Sequence, residues 1–132
     1  MVRIITPADS KLLDLPGRRS CEILAAASGA VRSTLRLVEI EPEQAGAAKR
    51  GPHVHSDFEE CICVLAGSGT MHADSGDYPI NAGDTVLVPA RELHVTRNTG
   101  STILKLLCFF PTGDVNAGTV EYQSWDASRG AE

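Results

Sequence analysis

Gly51-Pro52-His53-Val54-His55-Ser56-Asp57-Phe58-Glu59-Glu60-Cys61-Ile62-Cys63-Val64-Leu65-Ala66-Gly67 decides how the rest of the chain is read. His53 and His55 stand two apart. Side chains alternate faces along a β-strand, so both imidazoles project the same way if this segment is extended. After a short polar break comes the apolar run Cys61–Ala66. Read as the next strand, it puts Glu60, Ile62 and Val64 on one face and Cys61, Cys63 and Leu65 on the other. Glu59 falls in the outer phase and reads as solvated or paired with a base. Two imidazoles and a carboxylate converging on one point are a transition-metal site in outline. A further imidazole, His94, follows in the segment Gly83–Asn98.

Outward from this stretch, 132 residues make one domain, 1–132, and a 42% apolar content is enough for a core. The formal charge is −5, and basic residues come only as pairs such as Lys49-Arg50. Nucleic acid is therefore not an expected partner, because phosphate neutralisation needs clustered cations. No run approaches the length of a membrane-spanning helix. Arg18-Arg19 before an apolar stretch resembles a twin-arginine export signal, but Glu22 interrupts that stretch, and a β-hairpin turning at Ser28-Gly29 is the expectation. Cys21, Cys61, Cys63 and Cys108 lack the spacing of a disulfide framework. They are expected to be reduced packing residues in a cytoplasmic protein.

The remaining chain reads as short strands punctuated by glycine-containing turns: Ser20–Ala26, Val31–Glu41, Pro52–His55, Glu60–Leu65, Thr70–Ala73, Tyr78–Ile80, Thr85–Val88, His94–Asn98 and Thr102–Phe110. Many short strands without a long helix make a sandwich or barrel. Residues 1–20 are expected to form an arm with one helical turn near Asp9–Leu13. Residues 112–132 are expected to form a polar tail around a core at 31–111.

His53, His55, Glu60 and Gly67, with Gly83, Pro89, His94 and Asn98, resemble the two sequence motifs of the cupin superfamily. Two departures stand out. No glycine has the expected position before His53, and Arg91 occupies the place of the usual turn glycine. The resemblance implies an all-β, double-stranded β-helix, the jelly-roll barrel. It also implies one divalent transition-metal ion (Fe, Mn, Ni, Zn or Cu) held by His53, His55, Glu60 and His94. It implies no particular reaction. Arg91 is expected in the turn before His94, at a φ that L-residues accept.

From the phase of the ligands, the inner wall is expected to comprise Leu35, Leu37, Ile62, Val64, Met71, Val86, Thr96, Leu104, Leu106 and Cys108. Such a wall makes a mostly apolar cavity for a small organic substrate or ligand. His72 is expected to face outward. The expected function is metal-dependent enzymology, oxygenation ahead of isomerisation, cyclisation or decarboxylation, with Glu60 able to serve as a catalytic base. The alternatives are a ligand-binding module without turnover and a structural relic. A homodimer is expected, formed through the N-terminal segment and the outer face of Cys61, Cys63 and Leu65.

Overall fold

The computed structural model describes residues 1–130. Its strands are β1 (Lys11–Leu13), β2 (Arg19–Leu24), β3 (Thr34–Ile40), β4 (His53–His55), β5 (Glu60–Ala66), β6 (Ser68–Ala73), β7 (Gly76–Asn81), β8 (Thr85–Val88), β9 (His94–Arg97), β10 (Leu104–Phe110) and β11 (Thr119–Glu121). Six strands form one sheet in the order β1-β2-β3-β10-β5-β8, and five form the other in the order β11-β4-β9-β6-β7. Every pair is antiparallel. The two sheets face each other as a jelly roll. No helix among the described residues is long and apolar enough to cross a membrane.

Alternation builds the core. On β5, Glu60, Ile62 and Val64 are buried while Cys61 and Cys63 are only half-buried. On β10, Leu104, Leu106, Cys108 and Phe110 are buried. Cross-strand partners share a face, so the rows Val38–Leu106–Val64 and Arg36–Cys108–Ile62–Val86 run along the inside of the larger sheet. The chain reverses between β5 and β6 at Gly67, whose φ is 82°. A Cβ there would lie 2.5 Å from the carbonyl oxygen of Ile103, so both the conformation and the space require glycine. Asn98, fully buried, donates its amide to the carbonyls of Ile40 (2.8 Å) and Thr102 (2.7 Å), tying the end of β9 to β3.

Three expectations are corrected. Leu35 and Leu37 do not face the cavity. They pair with Phe109 and Leu107, the outward residues of β10, while Val38 and Arg36 pair with the buried Leu106 and Cys108. Both faces of β3 carry apolar residues, so alternation alone left the phase open. Arg36 is tolerated inside because Glu22 lies 3.3 Å away and the Phe110 ring lies 5.4 Å beneath its guanidinium. The N-terminal segment is not a separate arm. β1 and β2 extend the larger sheet, and the helical turn falls earlier, at Pro7–Asp9. The tail also contributes to the barrel, since β11 pairs with β4 and places Thr119 beside His55. Thirteen of the buried side chains, including Ile62, Met71, Leu106 and Phe110, form one continuous cluster.

Candidate metal centre

His53 and His55 come from β4, and His94 is the first residue of β9, directly across from His53. Glu60, the first residue of β5, approaches from the facing sheet. One ligand atom from each of the four residues lies within 4.8 Å of the others. His55, Glu60 and His94 are buried and His53 is half-buried. The histidine rings are close: His53 and His94 have centroids 4.2 Å apart. His55 stacks on Phe58 at 5.0 Å and meets the edge of Phe110 at 5.3 Å, which fixes its plane. Glu59 is exposed, and His72 turns away to bond Asp77 at 2.7 Å, both as read from alternation.

Arg91 overturns one expectation. Its φ is 68°, within the left-handed region. The cause is a backbone bond: the Arg91 N–H donates to the carbonyl oxygen of His55 at 2.7 Å. That bond joins the turn leading to His94 directly to the strand carrying His53 and His55. The side chain is exposed, so the turn geometry is held by the backbone at a cost in conformational strain.

The proton inventory says what the cluster can hold. Nδ1 of His94 lies 2.9 Å from the carbonyl oxygen of Glu92, which can only accept. That nitrogen therefore carries the proton. Nδ1 of His55 lies 2.8 Å from Oγ1 of Thr119. The Thr119 hydroxyl already donates to the Val115 carbonyl at 2.6 Å, so here too the imidazole is the donor. In the neutral rings, both Nε2 atoms are then bare lone pairs. Both face the same oxygen, Glu60 Oε1, at 3.1 Å for His55 and 3.2 Å for His94. Lone pairs facing a carboxylate oxygen repel unless a cation lies among them. The donor set and its tautomers thus fit a metal ion, with Thr119 and the Glu92 carbonyl as the outer partners that orient two of its ligands.

Burial pushes the Glu60 carboxyl up, but its contacts with His55 and His94 reverse this and hold it well below the ordinary carboxylate range. Contacts of that sign need positive character between the rings and the carboxylate, and with both Nε2 atoms bare a cation is what supplies it. Burial, reinforced by the neighbouring His94, pushes His53 well below the usual imidazole value, so it stays neutral and able to coordinate. Burial and the Glu60 charge push the Cys108 thiol well above its usual range, so it is a packing residue here and not a thiolate ligand.

The cluster opens into a cavity of about 80 Å³. Ile62, Thr96, Leu106 and Cys108 line it as expected, together with Phe110. The cavity is mostly apolar, as expected from sequence, but Arg18, Ser20, Arg36, Arg50 and Glu121 also line it. These residues, and Thr119, were missed. An arginine between two leucines, as in Leu35-Arg36-Leu37, reads as outward-facing, and nothing in the sequence near His55 points to a partner 64 residues away.

A model of the cupin domain matches residues 36–110, more than half of the chain. The chain belongs to the cupin domain family. Among curated proteins, this cupin is 36% identical over 56 residues to an uncharacterized protein, MJ1618, of Methanocaldococcus jannaschii; the match covers 42% of the cupin and 45% of that relative, less than half of its length. Among solved structures, the polyketide cyclase RemF of Streptomyces resistomycificus aligns with a TM-score of 0.71 at 20% identity, over 98% of this cupin and 94% of RemF. A variant of Bacillus subtilis oxalate decarboxylase aligns with a TM-score of 0.71 at 21% identity, over 86% of this cupin and 30% of the decarboxylase. At such identities the shared property is the fold.

Proposed function

We propose that His53, His55, Glu60 and His94 hold one divalent transition-metal ion and that the protein is a metal-dependent enzyme acting on a small organic molecule in the adjoining cavity. The observation that carries this is the pair of bare Nε2 atoms facing Glu60 Oε1, an arrangement that calls for a cation. When bound, such an ion supplies Lewis acidity toward substrate oxygens and, for iron, manganese or copper, redox chemistry. The chain's own residues do the rest. Thr119 and the Glu92 carbonyl keep the His55 and His94 protons away from the centre. Phe58, Phe110 and Leu106 keep water from the buried side. Glu60 is the group assigned to proton transfer at the substrate, as a base once it loosens from the metal.

Oxygenation is the reaction assigned first. Decarboxylation and cyclisation, named for two proteins that share the fold, oxalate decarboxylase and RemF, are the other reactions to be tested. The test is a screen of the metal-loaded protein against small organic acids and phenols, with oxygen uptake, carbon dioxide release and product mass followed together. Oxygen uptake with substrate loss, abolished in Glu60→Gln, supports the assignment. Substrate loss without oxygen uptake moves the reaction to another class, and no turnover of any compound favours a binding module.

We also propose a homodimer. The outer face of the larger sheet carries Leu35, Leu37, Leu107, Phe109, Cys61 and Leu87 in adjacent cross-strand positions. Leu87 is 60% exposed, while its neighbours on this face are half-buried. A contiguous apolar face of this kind is suited to a second copy of the same chain, related by a two-fold axis.

A further inference from the structure

The wall of the cavity formed by β2 and β3 sets two polar side chains, Ser20 and Arg36, among the apolar Val38 and Ile40. Ser20 is fully buried, and Arg36 keeps only 11% of its side-chain surface exposed. Both line the cavity shared with His53, His55, Glu60 and His94. Among the described residues, Ser20 Oγ and Arg36 Nε are the buried side-chain polar atoms with no hydrogen-bond partner, and both belong to this wall. Leaving a buried donor unpaired is destabilising unless something that binds there accepts its hydrogen.

Charge points to what that is. Arg18, Arg36 and Arg50 all reach the cavity. Arg18 is paired with Glu121 at 3.3 Å, and Arg36 with Glu22 at 3.3 Å. Each has further donors, because a guanidinium offers five N–H groups. Arg50 donates to the Thr96 carbonyl at 3.0 Å and has no carboxylate partner among the described residues. Burial, then the neighbouring Arg18 charge, push it down to about 10. The Arg36 guanidinium lies close enough to add to the burial that disfavours the charge on Arg18. Converging desolvated cations with unspent donors, beside an unpaired hydroxyl, are a binding site for a planar oxyanion.

We infer that the substrate is a small carboxylate, held at its carboxylate end by Arg36, Ser20 and Arg18 while the rest of the molecule lies toward the histidine cluster. This rests on the function proposed above for the same cavity and narrows its substrate class. The cavity limits size: about 80 Å³ corresponds to roughly three waters at about 30 Å³ of liquid volume each, which suits only a short-chain acid. Neutral analogues of the same shape bind more weakly, since they offer the unspent donors of Arg36, Arg18 and Ser20 an uncharged acceptor in place of a carboxylate.

The test is calorimetric titration of nickel-loaded protein with malonate and with its neutral diamide, malonamide. Nickel content is measured in every variant. Malonate binds, and malonamide binds at least about 10-fold more weakly. Arg36→Met weakens malonate by about 10- to 100-fold at unchanged nickel content. Ser20→Ala gives two readouts with opposite sign. It raises the thermal midpoint of the ligand-free protein by removing an unpaired hydroxyl, and it weakens malonate by roughly 3- to 10-fold. Ser20→Ala keeps the fold even if Arg36→Met does not, so it decides alone in that case. Equal affinity for malonate and malonamide, or wild-type malonate affinity in both variants, overturns the inference. A second titration uses chelator-treated protein. Malonate binding that depends on Arg36 and Ser20 in this metal-free protein sustains the inference, and the metal reading falls only if the same protein then fails to retain nickel offered in excess. Retained nickel without charge discrimination does the reverse.

Discussion

Replacing Thr119 by valine removes one oxygen from a half-buried position and changes little else in shape. Two bonds go with it. The Val115 carbonyl loses one donor at 2.6 Å, and the His55 Nδ1–H loses its acceptor at 2.8 Å. The Val115 carbonyl keeps the Gly118 N–H at 3.3 Å, whereas His55, 3% exposed, is left with an unpaired Nδ1–H that water cannot readily reach. With one orphaned group, the metal-free protein loses about 1–3 kcal/mol of stability. Metal affinity falls by about 10- to 100-fold, because the imidazole is no longer held with its bare nitrogen toward the centre. Thr119→Ser keeps the hydroxyl and stays near wild type in both respects. Urea denaturation in the presence of a chelator gives the first quantity, and competition with a chromophoric chelator gives the second. Wild-type metal affinity in Thr119→Val would refute the tautomer assignment for His55 and, with it, the reasoning that a cation is required between the histidines and Glu60.

Arg91→Gly relieves a left-handed φ of 68° and keeps the N–H that bonds His55. The strain relieved is about 1–2 kcal/mol and the added chain entropy costs about 0.5–1 kcal/mol, so the variant is more stable by up to about 1.5 kcal/mol with metal binding intact. A loss of stability in denaturant titration would mean that the arginine side chain holds the turn. Cys108, buried and with its thiol pushed well above its usual range, stays unmodified by iodoacetamide at pH 8 until urea unfolds the protein. Native-state alkylation mapped to Cys108 would contradict the inward phase of β10. For the apolar outer face, sedimentation at micromolar concentration gives a dimer that Leu107→Glu dissociates. A chain sedimenting as a monomer of 14.0 kDa rules the dimer out.

Much of the fold was legible because the ligand-bearing segments alternate cleanly. Glu60, Ile62 and Val64 are each buried, and Cys61 and Cys63 are not, so period-2 reading fixed the face of β5. Glycine-rich turns marked most strand boundaries to within two residues or so. β3 was ambiguous for a physical reason. Leu35 and Leu37 are as apolar as Val38 and Ile40, and only the register with β10 shows which pair faces the cavity. The turn at Arg91 was misjudged because local propensity disfavours a positive φ there, whereas a long-range backbone bond to His55 imposes it. The second wall of the site was invisible for a related reason. Ser20 and Arg18 come from a segment that looks dispensable until β2 is seen beside β3, and Thr119 from a tail without pattern until β11 is seen beside β4.

The most direct measurement is metal stoichiometry by mass spectrometry of protein purified without added metal, incubated with manganese, nickel or zinc, and desalted. The wild-type protein retains about one ion per chain, as expected for a closed set of nitrogen and oxygen ligands on one centre. Glu60→Gln and His94→Ala each retain almost none, while His72→Ala, on the outer face, retains the full amount. A wild-type protein that emerges metal-free after saturating exposure, or Glu60→Gln and His94→Ala variants that keep full occupancy, contradicts the assignment of His53, His55, Glu60 and His94 as a metal centre.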